Sequence, residues 1–189
     1  RPLKVAADIR IFDTAVRYKM NNGMNVVLLP IDTPFPLMTA MVTFNVGDVQ
    51  SGSSPGLADV AAGMLSPPRD MEAAGMTGIG VQGFTSNDHT YFVASGLNIY
   101  DDVMIKILER TIKAGDYSQE AIENRRKRLK EQFKRKDYQA DIEYRRQILT
   151  ALFGADHPYT KGVLTPESAD GVGHDKLMSF KDEHYTASN

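Results

Sequence analysis

Residues 37–65, LMTAMVTFNVGDVQSGSSPGLADVAAGML, place a strong strand signal directly before a helix start. The first ten residues are a long apolar run that stops at Gly47, and this pattern predicts a central strand. The GSSPG sequence that follows is typical of a turn, in which Ser54 suits a helix cap and Pro55 the first helical position. Helical spacing then relates the apolar residues Leu57, Val60, Ala61, Met64 and Leu65.

Strand patterns lie on both sides of this stretch. On the N-terminal side, residues 15–20 and 25–29 are predicted strands, and the Asn-Asn-Gly sequence at 21–23 between them is a strong hairpin signal. On the C-terminal side, residues 82–86 and 90–95 are predicted strands joined through Asn87 and Asp88. The opening of the chain is therefore predicted to consist of three strands, one helix and two further strands.

Helical patterns occupy the rest of the chain. Asn98 and Asp101 resemble a capping box, and Ser118 is predicted to cap a long helix that runs to about Phe153 with a break near residues 138–141. A last short helix is predicted over about residues 174–185. This order predicts an α+β fold, with a mixed or antiparallel sheet of about five or six strands covered mainly on one face by helices. The helix predicted over residues 98–114 carries one apolar stripe, formed by Val103, Met104, Ile107, Leu108, Thr111 and Ile112.

Composition and charge exclude several classes of protein. The chain has 189 residues with 22 basic and 24 acidic side chains, and this near-neutral balance argues against an electrostatic binder of nucleic acid or of an anionic membrane. It has no cysteine, which excludes disulfides and cysteine-ligated zinc. We expect a lead-in over residues 1–14, a single domain over residues 15–189, and a processed or excised chain, because it begins with arginine and shows no signal peptide. The basic first half of the long helix favours a solvated face over a binding patch.

Two glycine motifs match the consensus sequences of known sites but lack a feature that each site requires. Residues 78–83 satisfy G-x-G-x-x-G, but strand residues follow them where a dinucleotide site needs a helix. Residues 52–56 satisfy G-x-S-x-G, but the residue after the serine is Pro55, which has no N–H to donate to an oxyanion. The four histidines form no i, i+4 pair, and nothing in the spacing supports a zinc site that would join Asp59, His89 and His157.

Five short motifs occur in order along the chain. Residues 20–26 (MNNGMNV) resemble the pattern L-x-N-G-hydrophobic-x-V, and residues 44–48 (FNVGD) resemble a strand end of the form V-G-S. Residues 83–91 (GFTSNDHTY) are similar to A-[FY]-T-S-x-[DE]-H-T-x-Y, and residues 157–159 (HPY) and 184–189 (HYTASN) resemble H-P-[FY] and H-Y-x-x-x-N. This ordered set resembles the pitrilysin/insulinase-type zinc metallopeptidases, a family that includes mitochondrial processing peptidase. The resemblance covers about residues 18–189 and implies the peptidase half-domain fold of the processing-peptidase type.

The chain departs from this family at the catalytic motif. Residues 56–65 (GLADVAAGML) match the frame of G-L-A-H-x-x-E-H-M-L, but the two zinc-binding histidines fall on Asp59 and Gly63, and the catalytic glutamate falls on Ala62. The family's third ligand, a glutamate on the long helix, falls at Gln132, beside Glu131. One helix face therefore presents a carboxylate, a methyl group and no side chain where H-x-x-E-H would hold zinc and a base. The resemblance implies that this chain has no catalytic residue and no zinc.

The resemblance also implies a role for a chain without catalysis. Non-catalytic members of the family help to enclose a substrate chamber, and an extended peptide pairs with a strand that maps onto Gln82, Gly83, Phe84 and Thr85. We therefore expect a non-catalytic domain that partners an active zinc metalloprotease domain, on the same chain or on another subunit, and binds extended peptide. Zinc is expected only in that catalytic partner.

Several alternatives stay open at this point. The chain could be a metal-dependent peptidase with non-standard ligands, or a purely structural assembly subunit. The glycine-rich residues 75–83 could equally be a loop that leads into an ordinary strand. By resemblance to two-part bacterial proteases we expect a periplasmic or cell-envelope location, and we expect the chain to stop before the end of its sheet or before a following domain.

Overall fold

The computed structural model describes residues 14–52, 54–65 and 78–189. These residues fall into two compact units, one made of residues 14–35 with Ser188 and the other of residues 36–187 with Asn189. That residues 15–189 behave as one domain stays a prediction. No helix in the described ranges is long and apolar enough to cross a membrane.

The first unit is a two-stranded antiparallel hairpin. Strand β1, Val16–Lys19, pairs with β2, Asn25–Leu28, so that Val16 lies opposite Leu28. The turn between them follows from its sequence: Gly23 adopts a φ of 91°, which glycine tolerates without strain, and the Met24 N–H donates to the Asn22 side chain at 3.2 Å. The predicted hairpin is confirmed.

The second unit contains a three-stranded antiparallel sheet. Its strands are β3, Leu37–Phe44, β4, Gly80–Thr85, and β5, Thr90–Leu97, in the order β3-β5-β4. The α+β class and the antiparallel pairing are confirmed, and the five described strands divide between two sheets. The prediction that residues 37–46 form the central strand is wrong for the described strands. The central strand is β5, because it pairs with β4 through a tight turn and with β3 along its other side.

Helices account for most of the remaining residues. Two short 3-10 helices, Asp48–Ser51 and Asn98–Tyr100, precede α1 and α2. The helices are α1, Leu57–Gly63, α2, Asp101–Lys113, α3, Gln119–Phe133, α4, Lys136–Phe153, α5, Pro158–Lys161, α6, Ser168–Gly171, and α7, His174–His184.

The core of the second unit lies between the sheet and the helices. Alternate residues of β5 are fully buried, namely Thr90, Phe92 and Ala94, and they face the buried residues of α1, α2, α3 and α7. The apolar stripe predicted for α2 is confirmed, since Met104, Ile107, Leu108 and Thr111 are buried. Truncating a buried aliphatic side chain of this kind to alanine typically costs about 2–5 kcal/mol, so this stripe fixes α2 on the sheet.

The helix caps agree with the sequence in one case and differ in two. Ser118 caps α3, and its side chain accepts the Ala121 N–H, as predicted. Ser54 is not the cap of α1, because the chain turns at Gly56 with a φ of 77° and the helix begins at Leu57. The hydroxyl that satisfies the start of α1 belongs instead to Ser51, which accepts the Ala58 N–H at 3.0 Å.

The start of α2 and the break in the long helix also differ from the prediction. Asn98 forms no capping box, because a 3-10 turn over Asn98–Tyr100 leads into α2 and no side chain caps it. The long helical stretch breaks at Lys134 and Arg135 and not at residues 138–141. There the N–H groups of both residues bond to carbonyls three residues back, and Arg135 is extended, so α3 ends and α4 begins.

Candidate functional site

A cleft of about 250 Å³ lies where α1, β4 and α3 meet. The positions of the degenerate motif, Asp59, Ala62 and Gly63, line one side, and Gly83 and Thr85 of β4 line another. Leu65 and Arg125 complete the lining. The structure therefore brings together three of the four predicted motif positions and two of the four predicted substrate-strand residues.

The α1 side of the cleft carries small residues and few groups that could bind a metal ion. Residues i, i+3 and i+4 of a helix share one face, which places Asp59, Ala62 and Gly63 side by side. Ala62 is buried and offers only a methyl group, and Gly63 offers no side chain. The Asp59 carboxylate is the single ionisable group on this face of α1, and its side chain is 46% exposed.

Arg125 of α3 fills the space beside these residues. Its Nη2 donates to Oδ2 of Asp59 at 3.2 Å, and its side chain is 22% exposed. A Cβ built on Gly63 would lie 2.9 Å from Nη2 and 3.0 Å from the central guanidinium carbon of Arg125. The guanidinium thus occupies the volume that a side chain at position 63 would need.

The residues present do not fit the zinc ion that the resemblance implies for catalytic relatives. Zinc hydrolysis uses three protein ligands and a bound water, whereas the described lining of this cleft offers one carboxylate that is already paired with a cation. A guanidinium next to the would-be site also repels a dication. Within the described ranges, no group of three or more histidine or acidic side chains could hold a metal ion.

The expected third-ligand position lies away from the described cleft lining. Gln132 is exposed on α3, and Glu131 forms an ion pair with Lys134 at 2.6 Å. His89 is exposed in the β4–β5 turn region, and His157 caps α5 by accepting the Tyr159 N–H on Nδ1. The α3 residue that reaches the cleft is Arg125.

Sequence reasoning missed Arg125 as a site residue. Its signal was its spacing: it precedes Gln132 by seven residues, which is two helical turns and returns to nearly the same helix face. It stands at the start of the basic run that was interpreted as a solvated face. The interpretation fails for Arg125 because α1 packs close to α3 at Gly63, and it also fails for Arg126, which donates to the Val172 carbonyl.

Strand β4 lies at an edge of the described sheet, and no described strand pairs with half of its backbone hydrogen-bonding groups. The Ser86 N–H donates to the His89 carbonyl at 2.8 Å, which fixes the alternation of bonded pairs along the hairpin. By that alternation Gln82 and Phe84 bond to β5, whereas Val81, Gly83 and Thr85 direct their N–H and C=O groups at the free edge.

The side chains of β4 divide between two faces. Phe84 points outward and stacks on Tyr91 with 5.2 Å between ring centroids, and Gln82 lies exposed on the same face. Gly83 lies under the Phe92 ring, and a Cβ there would approach that ring to 2.8 Å. Gly83 therefore leaves both the core ring and the cleft unobstructed. The assignment of these residues to substrate binding stays a prediction.

A buried carboxylate supports the turn beside this strand. Asp48 is 8% exposed, and its Oδ2 accepts from Arg145 of α4 at 3.2 Å, while the same Arg145 nitrogen donates to Asn87 at 2.7 Å. Burial raises the pKa of Asp48 to about 6, and the nearby Arg145 charge opposes this rise only in part. Asp88 of the same turn accepts a hydrogen bond from Tyr159 at 2.8 Å. Helices α4 and α5 thus hold the β4–β5 turn.

We expect Asp48→Asn to stabilise the protein at neutral pH. The folded pKa lies above the unfolded value of about 3.9, so the native state holds the proton more tightly, and stability is lost as pH rises through about 6. Asparagine avoids this loss. Its unfolding free energy should exceed that of the unmodified chain by up to about 3 kcal/mol at pH 7.5 and match it below about pH 4.

Urea denaturation at several pH values measures this difference. Asp156→Asn is the matched control, because its carboxylate is 99% exposed and its removal should change stability by less than about 0.5 kcal/mol at each pH. A destabilised Asp48→Asn at pH 7.5 would show that the Arg145 ion pair outweighs the cost of burial.

A wider depression of about 510 Å³ lies between α3 and the α6–α7 segment, but the charged side chains that line it already have partners within the chain. Asp170 pairs with Lys130 at 2.6 Å, and Lys176 donates to Ser54 at 2.9 Å. Arg126 donates to the Val172 carbonyl. None of the predicted site residues is among the described residues that line it. The smaller cleft beside β4 is therefore the candidate site.

Comparison with known proteins identifies the fold. Neither a protein-family profile nor a curated protein sequence matches the chain. The periplasmic protease PqqL from Escherichia coli is a solved structure that the chain resembles with a TM-score of 0.76 and 15% identity, over 93% of this chain and 21% of that one. A protease from Helicobacter pylori matches with a TM-score of 0.75 and 15% identity, over 93% and 44%.

A third solved structure has a similar fold. The peptidase M16 inactive domain from Pseudomonas fluorescens matches with a TM-score of 0.71 and 17% identity, over 93% of this chain and 44% of that one. The chain spans less than half the length of each of these three structures. At these identities the likeness establishes the architecture, and it confirms the resemblance described above: the chain has the fold of an M16-type, pitrilysin/insulinase-like peptidase domain.

Proposed function

We propose that this chain is a non-catalytic peptidase-like domain that partners an active zinc metallopeptidase domain and binds extended peptide along β4. The observation that carries the proposal is the contrast within the cleft. The motif positions hold an Asp59–Arg125 ion pair in place of a ligand set, while the free edge of β4 runs alongside at Gly83 and Thr85.

The edge of β4 has the properties that strand addition requires. An extended peptide gains affinity from main-chain hydrogen bonds to exposed N–H and C=O groups, and here Val81, Gly83 and Thr85 supply them. The absence of a side chain at Gly83 allows a second backbone to approach closely. Since these groups need no metal, peptide binding can persist where catalysis is absent.

The partner and the location are inferred from the comparisons. The matched structures are more than twice the length of this chain, which supports a second, catalytic domain beside it. One of them is described as an inactive domain, which supports a division of labour between active and inactive domains. Another is described as a periplasmic protease, which supports a location in the bacterial periplasm or cell envelope.

A purely structural assembly subunit is the second candidate. The outer face of the three-stranded sheet exposes apolar side chains, and an exposed apolar face of this kind is typical of an interaction surface. On this account the domain would associate with a partner and would make no contact with peptide. The exposed residues on that face include Leu37, Met41, Phe84 and Leu97.

Peptide binding by the purified chain separates the two candidates. We expect an unstructured, labelled ten-residue peptide to bind with a dissociation constant on the order of 10–100 µM, because ordering the peptide costs part of the interaction energy. The matched control is the same peptide with N-methyl groups at alternate residues, which removes the main-chain donors and should weaken binding at least about tenfold. Equal binding of both peptides, or of neither, would favour the assembly role.

A further inference from the structure

Two residues that line the cleft each carry a buried hydrogen-bond donor that lacks a partner among the described residues. These donors are Nε of Arg125 and Oγ1 of Thr85. Both residues line the cleft, one from α3 and one from β4. A buried donor without a partner is costly, and such groups are uncommon in folded proteins. Two such donors on residues that line one cleft indicate that the cleft can receive an acceptor.

Most N–H donors of Arg125 have no hydrogen-bond partner in the described part of the chain. A guanidinium carries five N–H donors, and the hydrogen bond that the described part of the chain gives it is the single contact from Nη2 to Asp59. That contact engages one oxygen at 3.2 Å and is not the bidentate arrangement that arginine and carboxylate prefer. Arg125 can therefore keep Asp59 and bind a second anion.

The alternation of a strand directs a ligand side chain into this cleft. Residues directly opposite each other on neighbouring strands project to the same face of the sheet. A peptide residue placed opposite Gly83 therefore projects to the face on which Thr85 and α1 lie. Gly83 contributes no side chain there, and the 250 Å³ cleft is large enough for one amino-acid side chain.

We propose that the cleft selects an acidic side chain, aspartate or glutamate, of a peptide paired with β4. Arg125 is the main partner of the carboxylate, and the Thr85 hydroxyl is the second donor. Asp59 shares Arg125 with the ligand and limits the affinity through its like charge. The inference rests on the proposed function, because it requires the peptide to lie along β4.

The test compares three ten-residue peptides that differ only in a central glutamate, glutamine or lysine. The unmodified chain should bind the glutamate peptide about tenfold more tightly than the glutamine peptide, since a hydrogen bond between charged groups is stronger than a neutral one. The lysine peptide should bind least well. Equal affinity for glutamate and glutamine, or a preference for lysine, overturns the inference and leaves peptide binding intact. If none of the peptides binds, the proposed function itself fails.

Two variants with opposite expected effects assign the preference to the cleft. Arg125→Met should remove the preference for glutamate over glutamine, and Arg128→Met, which should keep it, is the matched control, because it removes the same charge from an exposed position on the same helix. Asp59→Asn should strengthen binding of the glutamate peptide several-fold, because the competing carboxylate is gone. An Asp59→Asn variant that binds this peptide more weakly overturns the inference, even if Arg125→Met fails to fold.

Discussion

Gly47→Ala is expected to destabilise the protein by more than about 3 kcal/mol. A Cβ at this position would lie 2.5 Å from the carbonyl carbon and oxygen of Asn87 and would also meet the Ser86 carbonyl. These are backbone atoms, so no rotamer change relieves the overlap. Asp48 and Val49 donate their N–H groups to Ser86 and Asn87 at 3.0 Å, and a shift of either segment breaks both bonds.

Gly80→Ala is the control for this prediction. No atom lies within 4 Å of a Cβ built at Gly80, and the residue belongs to the adjacent strand β4. Its stability should change by less than about 1 kcal/mol. Urea denaturation of both variants measures the difference, and a Gly47→Ala variant as stable as Gly80→Ala would show that the two segments can separate at little cost.

Zinc affinity is expected to depend on Arg125 as much as on the missing histidines. Restoring the motif with Asp59→His, Ala62→Glu and Gly63→His should give little zinc binding, because a histidine at 63 must displace the guanidinium and then share its space with a cation. Adding Arg125→Ala should tighten zinc binding by at least about tenfold. The unmodified chain should bind no stoichiometric zinc and cleave no unstructured peptide.

Equilibrium dialysis against zinc, followed by elemental analysis, measures these affinities. Arg128→Ala in the restored background removes the same charge away from the cleft and should change zinc binding by less than about threefold. Equal zinc affinity of the restored chain with and without Arg125 would contradict the account. So would chelator-sensitive proteolysis by the unmodified chain that disappears in Asp59→Ala.

Local patterns predicted the elements of this fold well. The 3.6-residue stripe of α2, the hairpin at Asn87 and Asp88, and the Ser118 cap depend on neighbouring residues alone, and each is present in the structure. The prediction that Ser54 caps α1 is wrong because a contact outside the local sequence affects where this helix begins. Gly56 turns the chain past Ser54, and a Cβ at Gly56 would meet Leu164, a contact more than one hundred residues away in sequence.

The sequence predicts which zinc ligands and base are missing from the site, but it does not predict which side chain takes their place. Asp59, Ala62 and Gly63 share a helix face by spacing alone, so the missing ligands follow from the sequence. That Arg125 fills the gap depends on how closely α3 approaches Gly63, which is a tertiary distance. The place of β5 at the centre of the sheet likewise depends on pairing between distant strands, and apolar runs such as residues 37–46 do not reveal their neighbours.

Residue-resolved amide hydrogen exchange with a saturating unstructured peptide tests whether the chain binds extended peptide at β4 without cleaving it. Exchange at Val81, Gly83 and Thr85 should slow, while exchange at Gln82 and Phe84, which already bond to β5, should change little. The peptide should keep its full mass throughout. Unchanged exchange at Val81, Gly83 and Thr85, or a peptide cut by the chain alone, would contradict the account.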